Sequence, residues 1–151
     1  MKTSNAILLV ALGILFSTSL YASVERTYFD GRSASDENVP PFSGAVQVGD
    51  TLYVSGALGL VDGKVPDDPA DEARAVMDAI KASVESAGMT MDDIAVVQIF
   101  CSDVAHYGAF NDVYKTYFTR EYPARAFIGS GTLLFNARFE VMVTAVRRPE
   151  K

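Results

Sequence analysis

Residues 45–56 read AVQVGDTLYVSG, and this stretch decides the class of the fold. Apolar and polar residues partly alternate on both sides of Gly49-Asp50, a pair of residue types that favours a tight turn. The pattern therefore predicts a β-hairpin, with one strand at 45–48 and the other at 51–55.

Beyond the hairpin, patterns typical of helices and of strands follow one another. Apolar residues recur at three- and four-residue steps from Pro69 to Ala87, which predicts a helix, and a second helix is predicted from Tyr107 to Phe118. Three further strands are predicted, at 94–101, 124–128 and 139–146. The first of these is nearly all apolar, as is typical of a strand buried on both faces. The order predicts an α+β domain in which two helices pack on one face of a mixed sheet.

The first 22 residues have the order of a secretory signal. Lys2 precedes an apolar run from Ala6 to Phe16, and a more polar segment leads to Ala22, after which we expect cleavage. The run is shorter than the roughly 18 apolar residues of a membrane-spanning helix. We therefore expect a periplasmic or secreted protein with no stable membrane association after cleavage. An uncleaved N-terminal anchor is the alternative.

After this signal, we expect an extended N-terminal arm at 23–41 and one folded domain at 42–148. The whole chain has 13 basic and 19 acidic side chains, a net charge of −6. This balance argues against nucleic acid as a partner, because phosphate binding depends on clustered Lys and Arg. With one cysteine, Cys101, and one histidine, His106, neither an internal disulfide nor a His/Cys metal cluster nor a His-based triad is expected.

Two charged residues lie within apolar, strand-like segments. Arg125 belongs to YPARAF at 122–127, and Glu140 belongs to RFEVMV at 138–143. Charged groups are rarely placed among apolar strand residues unless they are paired or used. An arginine can hold a carboxylate through two parallel hydrogen bonds, and a glutamate can orient or activate a water molecule. The two residues suggest a small carboxylate substrate attacked by water. The alternatives are a structural Arg–Glu pair and two unrelated charges at a sheet edge.

Four motifs occur in one order ahead of Glu140. They are PFSGAV at 41–46, GDTLYVSG at 49–56, FNDVY at 110–114 and PAR at 123–125. Together with the Phe-Glu-Val strand they closely resemble the RidA family, also called the YjgF family, over residues 39–148. The resemblance implies a chorismate-mutase-like α+β fold and a homotrimer with its sites in the clefts between subunits.

The resemblance also implies an activity, the hydrolysis of 2-imino acids and their enamine tautomers to 2-keto acids and ammonia, with no metal or organic cofactor. Arg125 would bind the substrate carboxylate and Glu140 would position the attacking water. Asn111, Ser55 and Gly56 would line the pocket. Other interpretations remain for these three: a helix-capping side chain, a strand-end hydroxyl and a turn or bulge glycine.

The chain departs from the family pattern at several positions. Phe42 replaces a common tyrosine and loses its hydroxyl, and Phe127 replaces a residue that is often smaller in deaminating members; both would belong to the substrate pocket. Met142 replaces a second acidic residue, and Arg138 is an additional cation. Two other functions are considered: a non-catalytic module that binds a carboxylate metabolite, and an endoribonuclease, which the acidic chain does not favour.

Overall fold

The computed structural model describes residues 24–149, apart from 32, 34, 36 and 38. The expected signal, residues 1–22, lies outside the described residues. Within the described part of the chain, no helix is long and apolar enough to cross a membrane. Nor do any three His, Cys, Asp or Glu side chains there form a group that could hold a metal ion.

Six strands form one mixed sheet, in the spatial order β1-β2-β3-β6-β4-β5. Neighbouring strands are antiparallel, except for β4 and β5, which run parallel. The strands are β1 (Arg26–Phe29), β2 (Ala45–Val48), β3 (Thr51–Leu58), β4 (Ile94–Cys101), β5 (Ala124–Gly129) and β6 (Phe139–Val146). The helices are α1 (Pro69–Ser86) and α2 (Tyr107–Tyr114). The α+β class with two helices on a mixed sheet is confirmed.

The predicted hairpin is present as β2 and β3, with Ala45 opposite Val54 and Gly49 at a φ of 58° in the turn. Strand β1 was not predicted, since its segment was expected only to be an extended arm. It pairs with β2, with Phe29 opposite Ala45. Three of its four residues are exposed, so its sequence has no alternation of apolar and polar residues that would indicate a strand.

Helix α1 begins as its sequence predicts. Asp68 Oδ1 accepts a hydrogen bond from the Ala70 amide at 2.6 Å, which satisfies one of the free amides of the first turn. Helix α2 is shorter than predicted, because a 3₁₀ turn replaces its last part at Lys115–Tyr117. The apolar stripe continues through this turn, since Tyr117 and Phe118 still pack against the core.

The core lies between the helices and one face of the sheet, where Val97, Ile99 and Val141 are fully buried. The opposite face is uncovered in the single chain. Large apolar side chains are exposed on it: Tyr53, Val96, Ile128, Met142 and Val146. The prediction that β4 is buried on both faces is therefore wrong for an isolated chain.

A buried ion pair fixes the start of β6. The Glu72 side chain is fully buried, and its carboxylate accepts hydrogen bonds from Arg138 Nη1 at 2.7 Å, from the Arg138 amide at 2.6 Å and from the Phe139 amide at 3.1 Å. Arg138 also donates to two backbone carbonyls of the loop before α1. Arg138, which the sequence showed only as an additional cation, thus anchors β6 two residues before Glu140.

Candidate active site

A cavity of about 350 Å³ opens beside the start of β5. Its walls come from α2, from the turn that follows α2 and from β5. The lining residues are Asn111, Tyr114, Lys115, Tyr122, Pro123 and Arg125. A cavity of this size suits a small metabolite.

The guanidinium of Arg125 is surrounded by aromatic rings. Its Cζ atom lies 4.6 Å from the ring centre of Tyr114, 5.7 Å from that of Tyr107 and 6.0 Å from that of Phe127. These rings stabilise the cation through cation–π contacts without neutralising it. The guanidinium donates a long hydrogen bond, of 3.4 Å, to the Tyr107 hydroxyl. Among the described residues Arg125 forms no ion pair, so its charge is available to an anionic ligand.

Two buried polar atoms share this cavity wall with Arg125. Asn111 Oδ1 and the Tyr114 hydroxyl have no hydrogen-bond partner in the described part of the chain. The capping interpretation of Asn111 does not hold, because α2 begins four residues earlier, at Tyr107. Since buried polar groups normally have a partner, these two atoms are candidates to contact a ligand.

Phe127 lies near Arg125 but does not line the cavity. Its ring packs edge-on against Tyr107, with centroids 5.0 Å apart, and against Phe110, with centroids 5.7 Å apart. It belongs to the partly buried rim of the core and is not among the lining residues. In the single chain it supports the rings around Arg125.

Glu140 does not join Arg125 within one chain. On β4, Val97 pairs with Arg125 of β5, and Phe100 pairs with Glu140 of β6. Because Val97 and Phe100 are three positions apart, their side chains point to opposite faces of the sheet, and so do those of Arg125 and Glu140. Arg125 lies on the face covered by the helices, and Glu140 lies on the uncovered face.

Glu140 packs closely against Gly56. A Cβ atom at Gly56 would overlap Glu140 Oε1, so only glycine fits there without movement of the carboxylate. Gly56 lies where the register between β3 and β6 shifts, between Val54 and Ala57. In the described part of the chain the Glu140 carboxylate makes no hydrogen bond or ion pair. It is therefore free to hold a water molecule.

Ser55 has a structural partner. Its hydroxyl donates to the Ser43 carbonyl at 2.7 Å, and its amide donates to the Gly44 carbonyl at 3.0 Å. These bonds tie the loop before β2 to β3 and agree with the interpretation of a strand-end hydroxyl. Phe42, next to this tied loop, is 55% exposed and does not line the cavity of Arg125.

The sequence patterns did not identify the tyrosines around Arg125 as site residues. The predicted second helix, from Tyr107 to Phe118, contains both Tyr107 and Tyr114. Their seven-residue spacing, with Asn111 between them, puts all three on one side of the helix. That spacing is the signal that could have identified them.

Comparison with known proteins assigns the chain to a family. Residues 34–147 match the family described as Endoribonuclease L-PSP. The chain belongs to this family. A relative from Dermatophagoides farinae named 2-iminobutanoate/2-iminopropanoate deaminase is 39% identical over 106 residues, covering 68% of this chain and 83% of the relative.

Two solved structures of Escherichia coli proteins share the fold. The YjgF gene product has a TM-score of 0.69 and 31% identity, and the match covers 78% of this chain and all of that one. The TdcF protein, solved with bound serine, has a TM-score of 0.70 and 29% identity, covering 73% of this chain and 91% of that one. The RidA/YjgF family and its fold are thereby confirmed.

Proposed function

We propose that this protein hydrolyses small 2-imino acids to 2-keto acids and ammonia. The observation that carries the proposal is the guanidinium of Arg125 in a metabolite-sized cavity, where it forms no ion pair with any described residue. Beside it, Asn111 Oδ1 and the Tyr114 hydroxyl have no hydrogen-bond partner among those residues. The names of the relatives, which are 2-iminobutanoate/2-iminopropanoate deaminases at 31–39% identity, support the same reaction.

In the proposed reaction, Arg125 binds the substrate carboxylate and so orients the imine carbon. Glu140 accepts a proton from a water molecule while the water oxygen bonds to that carbon and the C=N electron pair moves to nitrogen. The proton then passes to nitrogen, which gives a neutral adduct with a hydroxyl and an amino group on the same carbon. The hydroxyl proton moves to this nitrogen as the C–N bond breaks, so ammonia leaves as the keto group forms. The imine carbon is already electrophilic, so positioning supplies most of the catalysis.

Because Arg125 and Glu140 lie on opposite faces of one sheet, the proposed reaction needs two copies of the chain. We propose a homotrimer in which the Arg125 cavity of one copy faces the Glu140 of its neighbour. The uncovered apolar face of the sheet supports this assembly, since patches of such side chains are typical of subunit interfaces. Ser55, Gly56 and Phe42 would then belong to the Glu140 side of each site.

A non-catalytic binding module is the second candidate. Phe42 favours it, because the ring lacks the hydroxyl that the family commonly has at this position. The solved TdcF structure contains serine, a small carboxylate, and so agrees with a binding role as well. Glu140→Gln separates the two functions, since it should stop hydrolysis and leave the affinity for a carboxylate nearly unchanged.

The deciding experiment generates imines with an amino-acid oxidase and follows the release of ammonia and keto acid with the full-length protein. We expect faster release with the wild type, and a loss of about 100-fold or more in Arg125→Ala, where the carboxylate loses its charged partner. Arg74→Ala, at an exposed arginine paired with Asp71, is the matched control and should keep full activity. A folded wild type that leaves the rate of imine decay unchanged would refute the proposal.

We also propose that residues 1–22 direct export and are removed after Ala22. The short apolar run behind Lys2 supports this proposal. The full chain, expressed in a bacterium and fractionated, should appear outside the cytoplasm with the mass of a protein that begins at Ser23. An intact N-terminus on membrane-bound protein would favour the uncleaved anchor instead.

A further inference from the structure

The hydroxyl of Tyr114 is a buried polar group on a residue that lines the cavity of Arg125. The side chain is 4% exposed, and its hydroxyl is one of the two buried polar atoms without a partner in the described part of the chain. Tyr114 also lines the cavity of Arg125, and the Arg125 Cζ atom lies 4.6 Å from the centre of the Tyr114 ring.

A phenylalanine would meet the packing requirements at this position. The Tyr114 ring contacts Phe110 and Phe118, with centroids 5.9 Å and 4.8 Å apart, and these neighbours fill the same region without a polar atom. Burying a hydroxyl without a partner costs free energy, so packing alone favours its absence. The hydroxyl therefore needs a hydrogen-bond partner that the described residues do not supply.

We propose that Tyr114 is a ligand-binding residue whose hydroxyl donates a hydrogen bond to the carboxylate held by Arg125. This inference rests on the proposed function and deepens it. The guanidinium and the hydroxyl belong to residues that line the same cavity and would together provide donors for a carboxylate, so the cavity would select ligands with a free carboxylate over their amides or esters. Burial raises the pKa of Tyr114 to about 12, so the hydroxyl keeps its hydrogen and can donate at neutral pH.

Tyr117 provides a matched control on the same segment. Its hydroxyl lies 2.7 Å from Asp78 Oδ1 and 3.2 Å from the Arg74 carbonyl oxygen, so it has partners within the chain. It is not among the residues that line the cavity. Removal of this hydroxyl breaks a structural hydrogen bond, whereas removal of the Tyr114 hydroxyl breaks none within the described residues.

The test compares Tyr114→Phe and Tyr117→Phe in the full-length protein. Calorimetric titration with 2-oxobutanoate measures affinity, and the oxidase-coupled imine assay measures kcat and KM. For Tyr114→Phe we expect about 10-fold weaker binding or more, with a similar rise in KM, a kcat within about twofold, and an unfolding midpoint unchanged or raised. For Tyr117→Phe we expect unchanged binding and a lower midpoint.

The outcomes separate this inference from the proposed function. If Tyr114→Phe binds 2-oxobutanoate as tightly as the wild type does, the inference is overturned and the proposed function stands. If the wild type binds it and Tyr114→Phe binds it weakly, but no hydrolysis occurs, the hydrolase proposal fails and the role of Tyr114 is supported. A wild type that binds no 2-oxobutanoate overturns both.

Discussion

The side chains of Arg125 and Glu140 project from opposite faces of the same six-stranded sheet. The strand register establishes this relationship, because β4 places Val97 level with one of them and Phe100 level with the other. The first side chain opens into a cavity under α2, and the second lies on the uncovered apolar face, packed on Gly56. A reaction that uses both residues at one site would therefore need two copies of the chain.

Mixed assemblies test this arrangement directly. Arg125→Ala and Glu140→Gln should each be inactive alone, but after the two are unfolded and refolded together at equal amounts, about one quarter of the sites should combine an intact Arg125 with an intact Glu140. We expect the imine-hydrolysis rate of the mixture to be about one quarter of that of the refolded wild type. A mixture as inactive as its components would mean that both residues act from the same chain.

Gly56→Ala should inactivate the protein, because the new methyl group would overlap the Glu140 carboxylate and displace it. We expect a loss of about 100-fold in imine hydrolysis, since a displacement of about 1 Å at a reacting group can cost that much. Gly108→Ala is the control. A Cβ atom there meets no other atom, and alanine should stabilise α2 by about 0.5 kcal/mol. Full activity in Gly56→Ala would contradict the role of Glu140.

Glu72→Ala should destabilise the fold strongly, because it leaves the Arg138 guanidinium without its buried partner and two amides at the start of β6 without an acceptor. We expect a loss of about 3–5 kcal/mol in the free energy of unfolding, measured in urea. Glu85→Ala, which removes an exposed ion pair with Lys81 on the same helix, should change it by less than about 0.5 kcal/mol. Similar losses of unfolding free energy in the two variants would argue against a stabilising role of the buried Glu72–Arg138 ion pair.

The Asp92 carboxylate should stabilise the fold at pH values above its ordinary pKa and lose this contribution in acid. The Thr119 hydroxyl and amide both donate to its carboxylate, and these bonds lower the pKa of Asp92 below its ordinary value of 3.8. A group whose pKa is lower in the folded state stabilises the fold above its unfolded pKa, and this stabilisation disappears as the pH falls through the folded pKa.

Thr119→Val keeps the amide bond and removes the hydroxyl bond, so the pKa of Asp92 should return toward 3.8. We expect its urea midpoint to lie below that of the wild type near pH 6, and the difference to shrink at about pH 2.5. Thr116→Val is the control, because the Thr116 hydroxyl donates to the Val113 carbonyl and to no carboxylate. A Thr119→Val difference that is constant across this pH range would refute the assignment.

Much of the fold could be predicted from local sequence signals. The β2–β3 hairpin follows from a Gly-Asp turn between alternating strands, and α1 follows from its apolar spacing and from Gly88, which has a φ of 66° at the helix end. Strand β1 could not be predicted, because it lies at the edge of the sheet and buries little. The predicted end of α2 was also wrong. Apolar residues continue at a similar spacing through the 3₁₀ turn that follows the helix, so the apolar stripe does not show where the helix ends.

The candidate site was predictable only in part. Sequence patterns and family resemblance indicated Arg125 and Asn111, and the structure places both in one cavity. Patterns within single strands gave no register between β5, β4 and β6, so they could not show that Arg125 and Glu140 face opposite ways. Glu72 was also missed, because its partner Arg138 is 66 positions away in the chain.

The placement of Arg125 and Glu140 also determines how a mutant subunit would affect an assembly that contains normal subunits. In a ring of three copies, each copy would contribute to two of the three reaction centres, one through each face of its sheet. A single subunit that lacked both side chains would therefore silence two centres of the ring. An allele encoding such a subunit should act as a dominant negative when it is expressed beside the normal one.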